Sequence, residues 1–140
     1  MVIVVDTNVF VSACLGTGAA SEVVAACLRG EHLPLLGAAL LAEYEDVIGR
    51  GALFRSCRLN PFERAELLDI FVAHCRWTRI YFGWRPNLAD EGDNHLVELA
   101  VAGGATRIVT GNLRDLLGSE LQFPGLRAVT PSQFLKETKV

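Results

Sequence analysis

The sequence predicts a three-layer α/β/α sandwich built on a central, mainly parallel sheet. Three observations carry this. The chain starts with a short, wholly apolar run, Val2-Ile3-Val4-Val5, the pattern of a strand covered on both faces, as parallel strands are. Comparable runs recur at Leu33-Pro34-Leu35-Leu36, at Ile108-Val109-Thr110 and at Leu126–Val129. Between them lie stretches with apolar residues at helical spacing, and strands alternating with helices make a parallel sheet.

Taken in order, Val9 to Leu15 stays apolar until Gly16-Thr17-Gly18 breaks the run. Ser21, followed by Glu22, reads as a helix N-cap, with Val23, Val24, Cys27 and Leu28 as the stripe and Gly30 as its end. In the second strand Pro34 sits near the start, where a missing N–H matters least. Residues 38–49 place Leu40, Leu41, Tyr44, Val47 and Ile48 on one helical stripe. Asn60-Pro61 opens another helix with proline at its first position, and Phe62, Ala65, Leu68, Phe71, Val72 and Cys75 are expected to face inward. Arg79–Phe82 reads as an edge strand and Arg85–Leu88 as a loop. Residues 90–94 open a helix striped by Leu96, Leu99, Ala100 and Gly103. Thr130-Pro131 caps a C-terminal helix running to Lys136. No repeat, linker or low-complexity segment interrupts the chain, so residues 1–140 are read as a single domain.

Composition narrows the class. With 51% hydrophobic and 21% charged residues the chain carries enough apolar surface for a compact core, which excludes disorder. No apolar run reaches the roughly 18 residues of a membrane span, and no basic n-region precedes the first strand. A cytoplasmic protein without a membrane partner is expected. Cys14, Cys27, Cys57 and Cys75 lack C-x-x-C spacing, which suits small buried side chains better than zinc. Net charge is −3, against non-specific nucleic-acid binding. Yet Arg50, Arg55, Arg58, Arg64, Arg76, Arg79 and Arg85 crowd the middle of the chain, facing only Glu63, Glu66 and Asp69 there. Guanidinium groups grip phosphate bidentately, so this flank, Arg50, Arg55, Arg58 and Arg85 above all, is a candidate track for a phosphate-bearing partner; a solvated helical face is the plainer alternative.

The chemistry is expected at Asp6. Open α/β sheets bind ligands beyond the carboxyl ends of their strands, and Asp6 ends the first one. Further acids stand where the fold can gather them: Glu43 in the second-strand helix, Asp90 and Asp93 before the helix at 94, and Asp115 after the third parallel strand. Carboxylate oxygens suit Mg²⁺ or Mn²⁺. Gathered without a cation they would repel one another and any phosphate, and a cation removes both objections. Glu43 and Glu45 border the apolar stripe on opposite edges, so periodicity does not choose between them.

Four segments together resemble the PIN-domain family, and within it the VapC-like toxin components of toxin–antitoxin pairs. They are V-V-D-T-N-V-F from Val4, L-L-A-E-Y-E-D-V from Leu40, D-x-x-D-N-H-L-V-E-L-A-V-A-G-G-A from Asp90 and I-V-T-G-N-L-R-D-L from Ile108. The resemblance spans Val2 to about Leu135 and implies a PIN-like, Rossmannoid fold. It implies a Mg²⁺- or Mn²⁺-dependent endoribonuclease whose catalytic, metal-holding acids are Asp6, Glu43 and Asp93, with Asp90 as a neighbour; it is also the ground for Glu43 over Glu45. It further implies an antitoxin partner that blocks the acidic cleft, an RNA substrate and a homodimer. The family's Thr-x-Asp after the last core strand is here Thr110-Gly111-Asn112. A neutral amide replaces a carboxylate, so Asn112 or Asp115 completes the metal site. Thr7, Asn8 and Thr110 would orient carboxylates or water around the ion. The same departure motivates an alternative, a non-cleaving PIN module that binds RNA or a protein.

Other motifs weigh less. Gly16-Thr-Gly18-Ala-Ala-Ser21 mimics a dinucleotide fingerprint, but the second strand ends Leu35-Leu36-Gly37 without the acid that should accompany it. An aspartyl-phosphate enzyme would want an acid where Asn8 stands. His95 is a candidate base or phosphate contact, with a partly exposed helix position as the plainer reading.

Overall fold

The computed structural model describes residues 1–16, 18–80, 94–112 and 125–139. In chain order its elements are β1 (Val2–Val5), α1 (Thr7–Leu15), α2 (Ala19–Leu28), β2 (Leu33–Leu36), α3 (Ala38–Ile48), a 3-10 turn (Gly51–Phe54), α4 (Pro61–Ala73), β3 (Arg76–Trp77), α5 (Asn94–Gly103), β4 (Arg107–Val109), β5 (Arg127–Val129) and α6 (Pro131–Thr138). The strands lie in the order β3-β2-β1-β4-β5, and each neighbouring pair is parallel. This is the expected α/β/α fold. Chain order runs outward from β1 to β3, then returns to β4 on the other side of β1. The crevice between the carboxyl ends of β1 and β4 is therefore the switch point of the sheet, where such folds take ligands.

Packing explains why the strands read as continuous apolar runs. Ile3, Val4, Ile108 and Val109 are fully buried because helices cover both faces of the sheet. Helix α5 lies on β1, β2 and β4 through Leu96, Leu99 and Ala100. Its approach is close enough that a Cβ on Gly103 would stand 2.2 Å from Leu35 Cδ1. On α1, α3 and α4 an aromatic cluster forms, with Phe10 to Tyr44 and Phe10 to Phe71 ring centroids both 5.6 Å apart. No helix among the described residues is long and apolar enough to cross a membrane.

Several local expectations are corrected. The apolar stretch after Asp6, to which the sequence assigned no element, is helix α1. Helix α2 begins at Ala19 behind Gly18, and Ser21 lies inside its first turn, its hydroxyl within reach of both the Gly16 and the Ala13 carbonyl of the preceding segment. The edge strand is Arg76–Trp77, earlier than expected; Arg79 and Ile80 lie beyond it, and Tyr81, Phe82 and the loop at 85–88 fall outside the described residues. Helix α4 does start with the Asn60–Glu63 capping box and Pro61, and Leu68, Phe71, Val72 and Cys75 turn to the core as expected, but Ala65 is exposed, Phe62 is 76% exposed and Arg64 is buried. The Arg64 guanidinium lies 4.3 Å from the Phe54 ring centroid and donates to the Leu59 carbonyl at 3.0 Å, so the arginine occupies the place expected of an apolar residue.

Candidate active site at the β1/β4 switch point

Asp6 directly follows β1 and is the N-cap of α1, yet its carboxylate makes no capping bond. The turn-forming role that would explain an aspartate here is thus left unused. Its backbone N–H donates to the Val109 carbonyl at 2.9 Å, which locks the ends of β1 and β4 side by side. Asp6 is buried, 6% exposed. Its Oδ2 accepts from the Thr110 hydroxyl at 2.8 Å and from the Asn8 amide at 3.2 Å. Asn8 also accepts from the Gly111 N–H at 2.9 Å, and the Asn112 N–H donates to Thr110 Oγ1 at 3.0 Å. The turn after β4 is thereby tied to the turn after β1.

Glu43 reaches this edge because Tyr44 beside it is anchored. The Tyr44 hydroxyl, fully buried, donates to the Val5 carbonyl, one residue before Asp6. With the ring fixed among Phe10 and Phe71, α3 presents Glu43 toward β1 while Glu45 stays exposed. Of the two acids that periodicity left open, Glu43 is the one in contact with α1 and α5, through Thr7 and His95. Thr7 Oγ1 lies between the two acids, 2.7 Å from Glu43 Oε1 and 3.4 Å from Asp6 Oδ1. One hydroxyl carries one proton, and the distances direct it to Glu43. Among the described residues the side-chain donor nearest to Asp6 Oδ1 is this hydroxyl, at 3.4 Å. The other oxygen of Glu43 accepts from His95 Nε2 at 2.7 Å.

The two carboxylates are held differently. Burial pushes the Asp6 carboxyl above its usual range, the Thr110 hydrogen bond pulls it back in part, and the Glu43 charge adds to the rise. The hydrogen bond from His95 holds the Glu43 carboxyl below its usual range against a desolvation cost, with Thr7 and the Arg50 charge helping. Among the described residues no Lys or Arg pairs with Asp6. A buried acid beside a second acid, with oxygen donors of the hard kind, fits a divalent cation. The described residues bring two acids together and no group of three or more metal-ligating side chains. Asp90, Asp93 and Asp115 lie outside them.

The remaining sites divide. Thr7, Asn8 and Thr110 stand where expected, bonded to the acids, and Asn112 follows Thr110 at the same edge. Arg50 is exposed and paired with Asp46; Arg55 and Arg58 are exposed around the 3-10 turn. Arg85 lies outside the described residues. Of the other arginines in this stretch, Arg64 is buried, and Arg76 is exposed and donates to the Gly103 carbonyl at 2.6 Å. His95, whose plainer reading was a partly exposed helix position, touches Glu43. It stands one turn before Leu99 of the buried stripe, a spacing that pointed it toward the sheet edge.

The family model for the PIN domain matches residues 2–114. A search of the curated proteins finds no match. Among solved structures, a chain in the crystal structure of VapBC2 from Rickettsia felis bound to a DNA fragment from their promoter has a similar fold. It is 16% identical with a TM-score of 0.59, over 93% of this chain and 98% of that one.

Proposed function

The chain belongs to the PIN-domain family, and from its sheet edge we propose that it is a Mg²⁺- or Mn²⁺-dependent endoribonuclease, the toxin of a toxin–antitoxin pair. The observation that carries this is the pairing of Asp6 and Glu43 across Thr7 at the switch point. Asp6 and Glu43 would hold the cation, with Asp93 the third acid in the family pattern, Asp90 beside it, and Asn112 or Asp115 completing the set. When bound, such an ion lowers the pKa of water and offsets charge on the phosphate. The chain's own residues do the rest. Thr110 and Asn8 fix Asp6 Oδ2, so that Oδ1 is the oxygen turned toward Glu43. Thr7 and His95 fix both oxygens of Glu43. Arg50, Arg55 and Arg58 supply exposed guanidinium groups for RNA phosphates, contacts that position the strand without specifying its sequence.

A partner antitoxin covering the acidic edge is the role we infer from the fold shared with a VapBC2 chain. A homodimer in the cytoplasm completes the proposal, supported by apolar side chains left exposed on α4, Phe62 and Ile70. The neutral Asn112 beside Thr110 favours one competing reading, a non-cleaving module that binds RNA or protein. The test is cleavage of a single-stranded RNA after EDTA treatment and again after Mn²⁺ is restored. Activity that stops and returns supports the nuclease. Cleavage indifferent to chelation removes the metal from the mechanism. A protein that takes up no Mn²⁺ in calorimetry and cuts no RNA is the binding module.

A further inference from the structure

His95 is the one histidine that meets the acidic pair, and its geometry gives it work that no motif assigns. Helices α3 and α5 pack against each other where Gly37, the residue before α3, lacks a side chain; a Cβ there would stand 3.3 Å from Leu99 Cδ1. One turn earlier on α5, about 6 Å along its axis, His95 lies over the middle of α3. Its Nε2 is 2.7 Å from Glu43 Oε2, and its side chain, 18% exposed, is better covered than that of Glu43 at 36%. The imidazole therefore lies on the protein side of the carboxylate, while the carboxylate keeps an open side. Thr7 holds the other oxygen at 2.7 Å.

A carboxylate on a helix turns freely about its last torsion unless something grips it, since terminal sp³–sp² torsions are broad. Glu43 is gripped at both oxygens from two different elements, Thr7 on α1 and His95 on α5. We propose that His95 is a positioning residue that fixes the carboxylate plane of Glu43, and thereby sets how tightly the Asp6–Glu43 pair holds a divalent cation. This rests on the metal-site reading above. Groups that orient a ligand without touching the metal typically govern affinity by 10–100-fold. A glutamine reproduces the reach of the histidine Nε2 donor, whereas an asparagine falls short of it.

The experiment measures Mn²⁺ affinity of the full chain by calorimetry, with unfolding temperature recorded for each variant. His95→Ala and His95→Asn are expected to weaken Mn²⁺ at least 10-fold, and His95→Gln to stay within about threefold of the wild type. Were His95→Ala to unfold, the contrast between the Asn and Gln variants carries the same information. Equal affinity in all folded variants overturns the proposal while leaving the metal site intact, and shows His95 to be a packing residue only. Affinity lost equally in the Gln and Asn variants also overturns it, because the donor's position then does not matter. A wild type that binds no Mn²⁺ overturns the metal-site reading and this inference with it.

Discussion

Thr110 and Asp6, 104 residues apart in sequence, share a 2.8 Å hydrogen bond at the ends of the two strands between which chain order reverses. The hydroxyl is wholly buried, so nothing from solvent substitutes for it. It is also the strongest influence holding the Asp6 carboxyl down against burial. Thr110→Val keeps the shape and removes the donor. The folded protein should lose about 1–3 kcal/mol at neutral pH, the usual cost of an unmatched buried polar group. Urea denaturation checks the loss, and a variant as stable as wild type would mean Asp6 finds another donor.

The two acids should respond to pH in opposite senses. The Asp6 carboxyl is raised from 3.8, so the folded state holds its proton more tightly than the unfolded chain does. Its contribution is fully present below 3.8 and is lost as pH rises through the folded value. The Glu43 carboxyl is lowered from 4.5, so its contribution is present above 4.5 and lost as pH falls through the folded value. Without divalent cations, Asp6→Asn should therefore be more stable than wild type at pH 7, with the advantage shrinking toward pH 4. Glu43→Gln should be less stable at pH 7. Thermal melts in EDTA read both, at about 3–4 °C per kcal/mol for a chain of this size. A destabilised Asp6→Asn at pH 7 would contradict the burial cost.

Helix α4 separates what was legible from what was not. Four of the five strands and the position of Asp6 after the first were readable because apolar runs and strand-end carboxylates are local signals. The Asn60–Pro61 start was legible for the same reason, since a capping box lies within four residues. The inward place of Arg64 in the first turn was not legible, because it depends on Phe54, and a 3-10 turn against a later helix leaves no periodic trace. Arg64→Ala should cost about 1–3 kcal/mol through lost packing, and Phe62→Ser should change stability by less than about 0.5 kcal/mol. The reverse order in urea would restore the face expected from the apolar pattern.

The site was legible in part for a related reason. Asp6, Thr7 and Asn8 are contiguous, so their shared edge could be read directly. Glu43 against Glu45 could not, because the two flank Tyr44 evenly and the contacts that single out Glu43 come from Thr7 and His95 on other elements. Nor could the contact between His95 and Glu43, 52 residues apart.

Cation binding gives a test that needs no substrate. An ion that binds only the folded chain stabilises it by about 2.7 kcal/mol at 100 times its dissociation constant. At a fixed Mn²⁺ concentration the gain should grow as pH rises, because the ion competes with the proton that buried Asp6 holds more tightly than usual, so that the ion's dissociation constant falls as that proton leaves. Mn²⁺ should therefore raise the unfolding temperature more at pH 7.5 than at pH 5. Asp6→Asn should abolish most of the increment at both pH values, leaving only weak binding at Glu43. An Mn²⁺-induced rise in unfolding temperature that is the same in Asp6→Asn as in wild type would place the ion elsewhere on the protein and detach the acid pair from metal chemistry.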